Sequence, residues 1–124
     1  MTLGPLARLE LACHDLQRQR EFYARILQLP VLGPGPGLSF AMGPVTLVLR
    51  PRGDVLFPAA AAGPCEPGTL IALTVEDAEL DRWHRRMLTL RVAVLDAPGP
   101  AGAPPRMMRV ADPEGNVIEL FVPA

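Results

Sequence analysis

The stretch Val110–Phe121, VADPEGNVIELF, decides how this chain is read. Asp112 brings a short carboxylate that can accept from nearby backbone N–H groups. Pro113 presets φ for a turn, and Gly115 supplies a left-handed position before the chain resumes. Short apolar segments flank this turn, Met107–Ala111 before it and Val117–Val122 after it. The pattern predicts a closing β-hairpin.

Working outward, the segments before the hairpin alternate or recur with clear periods. Thr69–Val75 alternates as a strand, and Asp77 is placed to cap a helix. Leu80, Trp83, Met87 and Leu88 (or Leu90) supply that helix with an apolar stripe, and Val92–Leu95 reads as a short strand. The first half follows the same plan. Leu6–Cys13 alternates, with Leu9, Leu11 and Cys13 on one face; Asp15 is a candidate N-cap; Leu16, Phe22, Tyr23, Ile26 and Leu27 recur at helical spacing. Leu38–Met42 and Val45–Arg50 read as a hairpin across Gly43-Pro44.

An offset of 62 pairs Leu9 with Ile71, Leu11 with Leu73, Cys13 with Val75 and Asp15 with Asp77. The shared order strand–helix–strand–hairpin adds more than these four correspondences do. The expected architecture is α+β: two βαβββ modules in a single domain, 1–124. Module one covers about 5–50 and module two about 69–124. Between them lies the Pro/Ala-rich linker 51–68; a second Pro-rich stretch is Ala97–Pro105 and a third break is Gly33–Gly37. Proline lacks the ladder donor, so none of these stretches can be strand or helix interior. A half of about 60 residues buries little core by itself, so the modules are expected to pack with each other or with those of a second chain.

Composition narrows the function classes. The net charge is −1, and all twelve basic residues are Arg, interspersed with thirteen acids. This is not the footprint of a nucleic-acid binder or of a polybasic membrane anchor. No apolar run approaches the ~18 residues that span a bilayer. Two cysteines, Cys13 and Cys65, are too few for a disulfide scaffold or a zinc knuckle. The expectation is a soluble, cytoplasmic protein. Cys13 alternates with core leucines and reads as a small core residue, while His14 and His84 read as surface or helix-packing residues. Gly33–Gly37 alternates Gly with Pro, so it lacks the N–H groups of a phosphate cradle.

Segment Leu9–Leu32 (LELACHDLQRQREFYARILQLPVL) and segment Val110–Phe121 together resemble the vicinal-oxygen-chelate superfamily, which groups glyoxalases, bleomycin-resistance proteins and extradiol dioxygenases. The features are a strand ending in Asp15, Phe22-Tyr23 seven and eight residues on, and the Asp-Pro-x-Gly-Asn-x-Ile-Glu hairpin. The resemblance covers essentially the whole chain and implies curved sheets forming an open cup. It also implies a divalent metal held by His or Gln on the first strand, Gln or Glu on the fourth, His on the fifth and Glu on the eighth. Carried over one at a time, these positions fall on Arg8, Val48, Leu70 and Glu119. Arg offers no lone pair at neutral pH, and Val and Leu have none. Only Glu119 matches, so no metal and no other cofactor is expected, a divalent metal being the alternative.

The resemblance therefore points to the metal-free resistance branch: a protein, homodimeric by that likeness, that binds a small molecule in its cup. No catalytic residue is assigned. On alternation, Arg8, Glu10, Thr46 and Arg50 line the cup from the first half. Thr74, Glu119 and Phe121 line it from the second. Arg8 and Glu119 are expected to pair, a fixed guanidinium standing in for the metal charge. One alternative is an enzyme of lyase, isomerase or dioxygenase type using a non-standard metal or none. Arg8 would then act as electrophile and Glu119 as general base. The other alternative is a non-catalytic assembly or regulatory domain.

Overall fold

In a computed structural model, which describes residues 1–53, 56–58 and 68–124, the chain divides into two compact units, Met1–Cys65 and Glu66–Ala124. The boundary falls inside the stretch 51–68. Most of that linker, including Cys65, lies outside the described residues.

The first unit holds β1 (Arg8–Cys13), α1 (Leu16–Glu21), β2 (Ser39–Met42) and β3 (Val45–Pro51). Its sheet runs in the order β1-β3-β2, with β1 parallel to β3 and β2 antiparallel to it. Asp15 caps α1 as its sequence position suggests: the backbone is extended (φ −117°, ψ 92°) and the carboxylate accepts from Arg18 N at 3.1 Å. The helix then widens into a π-helical turn over Phe22–Ile26, where Leu27 N donates to Phe22 O at 3.0 Å. A simple 3.6-residue period does not anticipate this turn. Phe22, Tyr23 and Leu27 are all buried there, with the Phe22 ring edge-on to Tyr23 at 5.1 Å between centroids.

Gln28 ends the turn in the left-handed region, at φ 57°. The Gly-Pro loop that follows is pinned back on α1. Arg20 Nε donates to Gly37 O at 3.0 Å, and a Cβ at Gly37 would sit 2.8 Å from that guanidinium. Gly43 adopts φ 58° ahead of Pro44, the sign pattern of a type II′ turn, and closes the β2–β3 hairpin with Met42 opposite Val45. The short strand that follows the helix in the second unit is here a single bridge, Val31 to Phe40. Pro30 on one side and the Gly-Pro run on the other leave it no ladder to extend.

The second unit holds β4 (Leu70–Thr74), α2 (Asp77–Thr89), β5 (Val94–Asp96), β6 (Met107–Ala111) and β7 (Val117–Phe121). Its sheet order is β4-β7-β6-β5, with β4 parallel to β7 and the remaining pairs antiparallel. The expected cap of α2 is corrected: Glu76 is the N-cap, without a side-chain bond, and Asp77 is the first helical residue. The Asp77 carboxylate is instead taken by Arg106, from the residue before β6. The apolar stripe of α2 runs through Leu80 and Met87, both fully buried, and on to half-buried Leu90; Leu88 is exposed.

The β6–β7 turn is built as its composition predicts. Asp112 Oδ1 accepts from Glu114 N and Asn116 N, both at 2.9 Å, and Oδ2 accepts from Asn116 Nδ2 at 2.8 Å. Gly115 takes φ 90°, and Asp112 and Asn116 are both buried. Each unit is thus a βα element followed by an antiparallel hairpin whose last strand returns beside the first, an α+β arrangement. The helix-facing side of the first sheet buries Leu11, Cys13, Phe40, Leu47 and Leu49; that of the second buries Ile71, Met108, Val110, Ile118 and Leu120. Among the described residues no helix is long and apolar enough to cross a membrane.

Candidate functional site

The strand registers decide which side chains share the other, open face of each sheet. In the first unit Arg8 lies opposite Thr46, Glu10 opposite Val48 and Ala12 opposite Arg50. Ser39 and Ala41 of β2 stand against Val48 and Thr46. Side chains in register share a face. The open face therefore carries one Glu, two Arg and a floor of small residues.

Glu10 is the centre of that face. It accepts from Arg8 Nε at 2.9 Å through Oε2 and from Arg50 Nε at 3.0 Å through Oε1. The Glu10 and Arg50 side chains are 22% and 30% exposed, against 63% for Arg8, so the half-buried Glu10–Arg50 pair anchors a more exposed guanidinium. The bond from Arg50 holds the Glu10 carboxyl below its ordinary value, outweighing the opposing effect of burial, with Arg8 adding to the shift.

In the second unit the open face carries Leu70, Ala72 and Thr74 on β4, opposite Val117, Glu119 and Phe121 on β7. Across the hairpin, Met107 faces Phe121 and Arg109 faces Glu119. Arg109 Nε donates to Glu119 Oε1 at 2.8 Å, and Nη1 donates to Asp96 Oδ2 at 3.0 Å. These two carboxylates, Glu119 first, raise the pKa of Arg109 further above its already high value.

The candidate residues are thus distributed in two sets. Arg8, Glu10 and Arg50 come together on one sheet with Thr46 beside Arg8; Thr74, Phe121 and Glu119 share the open face of the other. Arg8 and Glu119, expected to pair with each other, each have a partner inside their own unit: Glu10 for Arg8 and Arg109 for Glu119. Sequence reasoning missed Arg109 and Asp96. Arg109 was within reach, because the Asp112–Asn116 turn sets Ala111 against Val117 and so, two residues further along each strand, Arg109 against Glu119. Asp96 was not, because a bulge between Val94 and Asp96 shifts the β5 register.

The registers also bear on Val48, the position carried over for the fourth strand. Val48 lies opposite Glu10 on β3, and Glu119 lies opposite Ala72 on β7. Glu10 and Ala72 are 62 residues apart, the offset that superimposes the halves, so Val48 is the positional counterpart of Glu119. Of the described residues, no three His, Cys, Asp or Glu side chains are gathered as a metal-binding group.

Known structures place this architecture. The chain resembles lactoylglutathione lyase from Agrobacterium tumefaciens at 23% identity and a TM-score of 0.71, covering 98% of this chain and 96% of that one. It resembles a glyoxalase/bleomycin resistance protein/dioxygenase from Nocardioides at 23% identity and a TM-score of 0.77, covering 98% and 85%. The fosfomycin resistance protein FosX from Mesorhizobium loti matches at 17% identity and a TM-score of 0.72, covering 100% and 95%. At these identities the likeness shows the fold. No curated protein matches the chain. The model of the Glyoxalase/Bleomycin resistance protein/Dioxygenase superfamily matches residues 5–120, and the chain belongs to that superfamily.

Proposed function

We propose that this protein binds a small molecule over the open faces of its sheets and does so without the divalent metal on which the superfamily's chemistry depends. The observation that carries the reading is the donor set. Of the four positions carried over from the family, Arg8, Val48 and Leu70 have no lone pair for a metal. The fourth, Glu119, has Oε1 engaged by Arg109 at 2.8 Å. These residues do not fit a divalent ion, which needs several imidazole, thiolate or carboxylate ligands converging on one point. The charge on these faces is organic instead, supplied by Arg8, Arg50 and Arg109. Small residues at Ala12, Ser39, Ala41 and Thr46 leave room above the first sheet for a ligand to lie against it.

Likeness to a fosfomycin resistance protein accords with a ligand-binding role; the drug itself is not carried over. The reading takes two chains as its unit, as the family likeness implies, and sedimentation equilibrium measures that directly. Its main test is metal analysis of the purified chain, before and after incubation with nickel, zinc, manganese and ferrous ions, alongside a small-molecule screen by thermal shift. The expected result is metal content far below one ion per chain and at least one organic ligand that raises the melting temperature. One tightly held ion per chain that is lost on Glu119→Gln would overturn it.

A further inference from the structure

The second Pro-rich stretch, Ala97–Pro105, takes no part in the open faces, yet the structure gives it a defined place. Met107 faces Phe121 on the open side of the second sheet, so Arg106, one residue earlier, points to the helix side. There it is 4% exposed and tightly bonded. Nε donates to Gly99 O at 3.1 Å and Nη2 to Asp81 Oδ1 at 2.9 Å. Nη1 donates to the Asp77 carboxylate and, at 3.3 Å, to Asp77 O. The Asp77 bond, supported by Asp81, pushes the Arg106 pKa up. Arg106 is therefore a permanently charged strut between the Pro-rich loop and the first turns of α2.

Between this loop, the strut and the residues after β7 lies a cavity of about 430 Å³. Its size falls in the range of small-molecule sites, roughly 300–1,000 Å³. Ala103, Pro104 and Pro105 form one wall, and Val122 and Pro123 contribute apolar surface from the other strand end. Proline rings are stiff and already ordered, so little conformational entropy is lost when a ligand packs on them. A neighbouring recess of about 360 Å³ shares Asp77, Val122 and Pro123 and adds Glu76.

The side-chain polar capacity of this cavity is one-sided. Its three prolines have no N–H. Arg106 spends four of its five N–H donors on Asp77, Asp81 and Gly99. Asp77, by contrast, bonds Arg106 through Oδ1, and its side chain is 53% exposed, so the carboxylate retains capacity to accept. A well-matched occupant must donate hydrogen bonds, carry positive charge and present an apolar body to the proline walls.

We propose that this cavity is a second ligand site, separate from the open sheet faces, for a small organic ammonium ion with an aromatic body. The ammonium donates to the Asp77 carboxylate and the ring packs on Pro104, Pro105 and Val122. The site lies entirely within the second unit and does not depend on the function proposed above.

The test is an amide-resolved NMR titration of the full chain with three probes of one shape: benzylamine, benzyl alcohol and benzoate. Benzylamine is expected to shift the Ala103, Arg106 and Val122 amides saturably, with benzyl alcohol at least tenfold weaker and benzoate without effect. Ala103→Trp, at an exposed loop position, is expected to fill the cavity and abolish binding with no loss of melting temperature. Asp77→Asn also disturbs Arg106; it is expected to weaken benzylamine at least tenfold in a chain that still folds. Benzoate binding as well as benzylamine would overturn the proposal. So would saturable shifts confined to the open face around Glu119, no saturation at millimolar benzylamine, or full binding by the Ala103→Trp chain.

Discussion

Arg109 on β6 and Glu119 on β7 are ladder partners joined by a 2.8 Å Nε–Oε1 bond, so the one carboxylate at a family metal position is neutralised from its own hairpin. The relationship is local: each residue sits three positions from the Asp112–Asn116 turn that sets their register. It is also asymmetric in exposure, since the Glu119 side chain is 17% exposed and that of Arg109 38%.

Removing the cation should therefore leave a half-buried acid without its partner. For Arg109→Leu the expected outcome is a lower melting temperature at pH 7. Thermal melts of the variant beside wild type check this, and an unchanged melting temperature would show that Glu119 is indifferent to Arg109.

Glu10 makes part of the stability depend on pH. Its folded pKa lies below the ordinary 4.5 because Arg50, and then Arg8, favour the charged form. The stability it contributes is fully present above that ordinary value and is lost as pH falls through the depressed one. The urea midpoint difference between wild type and Glu10→Gln is expected to be constant from pH 7 to about 5 and to shrink below pH 4.

The two faces of the first sheet should respond very differently to truncation. Leu47 is fully buried on the helix side, and Leu47→Ala is expected to cost about 2–5 kcal/mol. Its neighbour Thr46 faces the open side, and Thr46→Ala is expected to stay within about 0.5 kcal/mol. Chemical denaturation of the two variants separates the faces directly.

Asp15 and Asp77 occupy equivalent places in the two halves but do different work. Asp15→Ala removes a helix cap and is expected to cost about 1 kcal/mol, most of it regained in Asp15→Ser. Asp77 has no capping role to lose; a serine there leaves Arg106 with Asp81 as its one carboxylate among these two and is not expected to rescue Asp77→Ala. The same denaturation series distinguishes the two.

Much of this architecture was legible because it is written in short-range chemistry. The Asp-Pro-Glu-Gly-Asn turn states its own geometry, the Gly43-Pro44 hairpin states its register, and the alternation of Leu9, Leu11 and Cys13 marks a buried face. The misreadings arose where a distant group competes for a local one. Asp77 looks like a cap until Arg106, 29 residues later, claims its carboxylate. The π-helical turn was hidden because a one-residue widening leaves the spacing of apolar residues almost unchanged. For the candidate site, alternation correctly placed Arg8, Glu10, Thr46 and Arg50 on one face of their sheet. It had no means of deciding which guanidinium each acid would choose.

The order of strands within each sheet has a consequence for how the chain is made. In both units the last strand to be synthesised, β3 in the first and β7 in the second, is inserted between strands that precede it. Until residue 45 leaves the ribosome, β1 has no neighbour to bond, and β4 likewise waits for residue 117. Assembly of each sheet is therefore held back to its final segment, because the sequence-distant parallel pairing needs the strand that is made last.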